Sequence, residues 1–127
     1  MFTKITHITL FVSNQDDALN FYKKLGFVIH TDANFGEMRW LTICLPSQKD
    51  MEVALIKAEN ETEKALVGKQ AGDKPLLSLE SDDCQKDYEV LSLVGIKFLE
   101  KPAQQPWGIS TTLQDLYGNM IYICQPI

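Results

Sequence analysis

Cys44, Cys84 and Cys124 are the side chains of this 127-residue sequence with nucleophilic chemistry, and its two histidines, His7 and His30, are the bases that would have to activate one of them. No local pattern joins the two sets. There is no C-x-x-C pair, and the cysteines fall inside apolar stretches or at the start of a helix. An odd number of cysteines also argues against a disulfide framework. They read as reduced thiols acting as small buried hydrophobes, which suits a cytoplasmic chain.

Charge narrows the partners further. Twelve Lys and Arg stand against seventeen Asp and Glu, a net charge of −5, so the basic footprint of a nucleic-acid binder is missing. Cationic or neutral small molecules suit such a surface better. No apolar run approaches the length of a membrane span, and with Met1-Phe2-Thr3-Lys4 at the start no secretory signal is expected. With 45% hydrophobic and 23% charged residues, the expectation is one soluble domain over residues 1–127.

The elements that must position any site are legible from spacing. Ile5 to Val12 is dense in β-branched residues and reads as a strand. Gln15 to Leu25 sets Ala18, Leu19, Tyr22 and Leu25 at helical spacing, with Ser13 or Asn14 as the cap, Asp16 and Asp17 in the first turn, and Gly26 as the stop. Strands follow at Phe27 to Thr31, Met38 to Leu45 and Met51 to Lys57, with turns expected at Asp32-Ala33-Asn34 and Pro46-Ser47. Glu59 to Lys69 reads as a short surface helix or a linker.

The second half follows the same order: a strand at Leu76 to Glu80, a capping turn at Ser81-Asp82-Asp83, and a helix from Cys84 to Leu93 stopped by Gly95. Strands at Ile96 to Leu99, Trp107 to Gln114 and Met120 to Gln125 complete it. Lys101 to Pro106 is expected as a loop and Asp115 to Asn119 as a tight turn. Sliding the chain by 69 residues matches Ile8 to Leu77, Leu10 to Leu79, Leu25 to Val94 and Gly26 to Gly95. Such a repeat constrains architecture more than any propensity does. The expectation is an α+β fold of two paired βαβββ modules forming a curved mixed sheet around a cavity, with helices outside. Module one covers about 1–58, a linker about 59–73, and module two about 74–127.

Several phrases carry a family resemblance over nearly the whole chain. They are Ile5 to Val12, Ala18 to Phe27 with its Phe-Tyr-x-x-Leu-Gly-Phe pattern, Ser81-Asp82-Asp83, and Pro106-Trp107-Gly108 through Asp115-Leu116-Tyr117-Gly118-Asn119. On these residues the chain resembles the vicinal oxygen chelate superfamily, the glyoxalase, bleomycin resistance protein and dioxygenase group. The resemblance implies a homodimer and, in metal-using members, four inward ligand positions on the first and last strands of each module. Those ligands are His, Glu or Gln, which hold a divalent ion while leaving positions for an oxygen substrate.

Only part of that set is present. His7 matches the first position, but the 69-residue shift places Leu76 at its counterpart. The last strand offers Tyr122 where a Glu is expected. In the fourth strand Glu52 is the only ligand type, whereas the strict shift from Tyr122 selects Val53, leaving the register open. His7 and Glu52 are therefore weak metal candidates, and no metal or other cofactor is expected. His7 also reads as a plain strand histidine bonded to a neighbour.

The remaining expectation is an aromatic cavity. Trp40 and Trp107 stand at related places in the two modules, and Phe35, Met38, Phe98 and Tyr122 are expected to face the same hollow with His7. Aromatic walls with a few polar handles suit planar or cationic molecules through stacking and cation–π contacts. Of the nearby charges, Asp115 reads as a turn residue and Arg39 as a solvated strand-edge residue. The first functional expectation is metal-independent binding of a small molecule, similar to drug-sequestering bleomycin resistance proteins. The alternatives are a metal-dependent lyase or isomerase of the glyoxalase type with an atypical site, and a family member without retained activity.

Overall fold

In the computed structural model, which describes all residues 1–127, the chain forms two units, Met1–Val67 and Gly68–Ile127, each with its own mixed sheet. Unit one contains β1 (His7–Val12), α1 (Gln15–Lys24), β2 (Val28–Phe35), β3 (Met38–Leu45), β4 (Gln48–Lys57) and α2 (Glu61–Leu66). Its sheet runs β1-β4-β3-β2, with β1 parallel to β4 and the other pairs antiparallel. Unit two contains β5 (Leu77–Glu80), α3 (Cys84–Leu93), β6 (Lys97–Phe98), β7 (Ala103–Gln105), β8 (Gly108–Gln114) and β9 (Met120–Pro126). Its order is β5-β9-β8-β6, with β7 also on β8 and β5 parallel to β9. The fold is α+β, built as two mixed sheets.

Local chemistry explains the helix positions. Asn14 accepts from the Asp17 amide at 2.9 Å, so the side chain that begins α1 satisfies one of its orphan donors. Asp83 does the same for α3 through Lys86 at 3.1 Å. Both helices end before a glycine of positive φ, Gly26 at 99° and Gly95 at 88°, a conformation open to a residue without Cβ. Gly108 carries φ 148°, and a Cβ there would lie 2.1 Å from the Gln125 carbonyl oxygen. The close approach of β8 to β9 at that point requires glycine.

Two elements depart from expectation. Asp32-Ala33-Asn34 is not a turn but the middle of β2, and the chain reverses at Gly36-Glu37. The physical reason is Arg39 on the neighbouring strand: its Nε and Nη2 donate to the two Asp32 carboxylate oxygens at 3.0 Å each, and Asn34 sits in register with it. Arg39 is thus no solvated edge residue. Likewise Ala103–Gln105, expected within a loop, pairs with β8 as a short strand.

Arg39 also fixes which face is which, because its Nη1 donates to Asp16 of α1 at 2.8 Å. Residues alternating with it toward α1, Leu41, Ile43, Val53 and Leu55, are buried along with Leu10 and Val12 of β1 and Ala18, Leu19 and Tyr22 of α1. Each large apolar side chain buried here contributes about 1.5–3 kcal/mol. The opposite face of the sheet is left to other residues.

Candidate functional site

On β1 and β4 the parallel register sets His7 beside Glu52 and Thr9 beside Ala54, so the fourth-strand register left open by the sequence is decided: Glu52, not Val53, shares a face with His7. That face is the one opposite α1. Ala54 sits at its centre with no exposed surface. Because it is small, side chains of the flanking strands meet above it. His7 of β1 and Trp40 of β3 pack edge to face across β4, with ring centroids 5.2 Å apart and planes at 84°.

Glu52 is held from the other side. Thr42, fully buried on β3, donates its hydroxyl proton to Glu52 Oε1 at 2.7 Å. His30 Nδ1 lies 3.1 Å from the same oxygen and 2.8 Å from Thr31 Oγ1. A carboxylate only accepts, so a hydrogen bond from His30 to Glu52 needs the proton on Nδ1. His30 is the residue that sequence reading passed over. It stands at the register shift between Ile29 and Thr31, so strand alternation alone does not give its face. Its identity as one of two histidines was the only signal.

Phe35 and Met38 pair in register at the β2–β3 end, in the same two-residue progression as Ala33 with Trp40 and Thr31 with Thr42. They therefore extend this face, with 64% and 47% of their surfaces exposed. The far face of unit one thus carries His7, Trp40, Glu52, Thr42, Phe35 and Met38.

In unit two the corresponding face carries Tyr122 and Trp107. The Trp107 indole N–H donates to the Tyr122 hydroxyl oxygen at 2.8 Å. This leaves the Tyr122 proton available as a donor of its own. Phe98, expected at the same hollow, is elsewhere: it pairs with the fully buried Leu113 and packs edge to face on Tyr88 of α3, centroids 4.8 Å apart. It belongs to the helix side.

The ladder registers also correct the module correspondence. Ile8 pairs with Val53 and Leu77 with Ile121, so the closing strands are offset by 68 residues while the first strands are offset by 69. Carried one residue back, this register sets Leu76 beside Met120 where unit one has His7 beside Glu52. Tyr122, which pairs with Ser78 and Thr112, corresponds to Ala54, paired with Thr9 and Thr42. Trp107 precedes β8 by one residue and does not correspond to Trp40, which lies inside β3. The shift arises because the strand connections differ in length between the units.

Few of the side chains at these positions are metal-ligand types. Unit two offers Leu76 and Met120 at the positions in question, and in the whole chain no three His, Cys, Asp or Glu side chains gather in a way that could hold an ion. In unit one Glu52 Oε1 is already taken by Thr42 and His30.

Elsewhere, Arg39 between Asp32 and Asp16 is pushed above its usual range by those hydrogen bonds, and Asp32 falls below its ordinary value through the same bond. Burial raises the Cys84 thiol, with Asp87, Cys124 and Asp83 adding to it. A thiol held protonated is a poor nucleophile. No helix is long and apolar enough to cross a membrane.

Comparison with known proteins agrees with the fold. A crystal structure of UcmS2 superposes with a TM-score of 0.85 at 30% identity, covering 98% of each chain. That of TnmS3, described as an antibiotic binding protein from Streptomyces sp. CB03234, superposes at 0.81 with 25% identity, covering 99% of this chain and 98% of the other. An uncharacterised protein of Shewanella frigidimarina (strain NCIMB 400) is 35% identical over 91% of this chain and 88% of its own. YurT of Bacillus subtilis (strain 168), likewise uncharacterised, is 31% identical over 96% and 98%. The family model for the glyoxalase/bleomycin resistance protein/dioxygenase superfamily matches residues 4–123, and the chain belongs to that superfamily.

Proposed function

We propose that this protein binds a small planar or cationic organic molecule without a metal, as a sequestering protein rather than a catalyst. The observation that carries the reading is the His7–Trp40 ring pair at 5.2 Å on the face shared with Glu52. Aromatic rings beside a carboxylate recognise flat and positively charged ligands by stacking, cation–π attraction and ion pairing. The likeness to TnmS3, an antibiotic binding protein, supports a small-molecule ligand. A net charge of −5 favours the approach of cations. A homodimer in the cytoplasm is part of this reading, the latter suited by three free cysteines.

The test is quenching of tryptophan fluorescence by a panel of planar compounds, including bleomycin-type drugs, together with elemental analysis of protein purified without chelator or affinity-tag metal. Saturable quenching by metal-free protein is expected. Absence of quenching across the panel overturns the binding reading. Near-stoichiometric metal that falls in both His7→Ala and Glu52→Gln variants replaces it with the glyoxalase-type lyase. Sedimentation at micromolar concentration tests the dimer, and a monomer mass refutes it.

A further inference from the structure

Glu52 has one oxygen occupied and one not. Oε1 takes both the Thr42 hydroxyl at 2.7 Å and His30 Nδ1 at 3.1 Å. Oε2 has no protein partner, and it is not sealed off either, since no buried side-chain oxygen in the chain lacks one. With 19% of its side chain exposed, the carboxylate reaches the surface through that second oxygen. Its neighbour across the ladder is His7, whose ring already meets Trp40.

A carboxylate with one oxygen tethered on two sides is oriented before any ligand arrives. The Thr42 hydroxyl comes from a fully buried side chain on the adjacent strand, so it cannot swing away without breaking the packing of β3. Preorganisation of this kind removes much of the ordering cost of binding. A fixed acceptor beside an aromatic pair selects for a flat ring system bearing a positive charge or an N–H donor at its edge, and against the same ring without one.

We infer that Glu52 is the specificity-determining residue of the site, its Oε2 receiving the cationic or N–H edge of a planar aromatic ligand, with Thr42 and His30 as positioning residues. The inference rests on the binding reading above and narrows it from planar or cationic ligands to planar ones that carry a positive charge or an N–H donor at the edge. Its chemistry is that of a protonated aminoaromatic.

The experiment compares 9-aminoacridine, a cation at neutral pH, with acridine, its largely neutral parent of the same ring skeleton, by titration calorimetry at pH 7.5. Wild type is expected to bind 9-aminoacridine at least tenfold more tightly than acridine. Glu52→Gln, nearly isosteric, is expected to bring the two within about twofold of each other by weakening the cation far more than its neutral parent. Thr42→Val is expected to lower the preference several-fold by weakening 9-aminoacridine more than acridine, a change in selectivity that a merely structural role would not produce. Circular dichroism and a melting curve confirm that each variant is folded. Equal binding of both probes by wild type, or an equal loss of both in Glu52→Gln, overturns the inference and leaves the binding reading standing. If neither probe binds wild type, while other planar compounds quench its tryptophans, the inference falls alone. If nothing binds at all, both fall.

Discussion

Replacing Thr42 by Val removes one hydroxyl from the interior of the first sheet and little else, so its cost isolates the bond to Glu52. Thr42 has no exposed surface and donates at 2.7 Å to a carboxylate. Hydrogen bonds to charged groups contribute about 1.5–3 kcal/mol net. Glu52 is 19% exposed and keeps His30 at 3.1 Å, so water and the imidazole compensate part of the loss. The expected cost is therefore about 1–2 kcal/mol, near the lower end. For a chain of this size that is a fall in melting temperature of about 4–8 °C. Urea unfolding at pH 7 of wild type, Thr42→Val, Glu52→Met and the double variant closes a thermodynamic cycle. The coupling energy between the two sites is expected to be about 1–2 kcal/mol, because each change removes the same bond. A coupling below about 0.3 kcal/mol, within the additivity of independent sites, would refute the claim that Thr42 holds Glu52 in place.

Three further outcomes follow from named contacts. Tyr122→Phe removes the acceptor of the Trp107 indole, but Trp107 is 55% exposed and water replaces it; stability should change by less than about 0.5 kcal/mol while the tryptophan emission maximum moves. An unchanged emission spectrum would count against the bond. The Asp32 carboxyl should titrate below its ordinary 3.8 because Arg39 holds it charged, as read by carboxyl-carbon NMR, and should return toward that value in Arg39→Gln. Since its pKa is lower folded than unfolded, its contribution to stability is complete above the unfolded value and is lost as pH falls through the folded one. Gly108→Ala should destabilise by about 3 kcal/mol or more, since a Cβ there meets the Gln125 carbonyl at 2.1 Å in a backbone conformation that L residues avoid; urea unfolding within about 1 kcal/mol of wild type would contradict it.

Much of this molecule is legible in one dimension. Helices α1 and α3 are offset from each other by 69 residues at both ends, as the internal repeat implies, because a capping side chain, an apolar spacing and a stopping glycine are all local signals. The chemistry available is legible too: two histidines, an acidic balance and no paired cysteines narrow the choices whatever the fold. What spacing could not settle is everything that depends on how strands lie beside one another. Asp32 to Asn34 has turn composition, but Arg39 on the adjacent strand supplies a counter-charge that makes an extended conformation stable. Phe98 has the character of a pocket residue, yet its strand phase turns it onto Tyr88. A shift of a single residue moves a side chain to the other face of a sheet, so the parallel register of β1 on β4 decided that Glu52 lies beside His7, and the offset of 68 in the closing strands that Tyr122 corresponds to Ala54. His30 reached Glu52 only through an irregularity in β2 that leaves no mark in the sequence. The residue types were set by the sequence, but pairing between strands is a long-range property, and only the tertiary structure decided which of them face the same space.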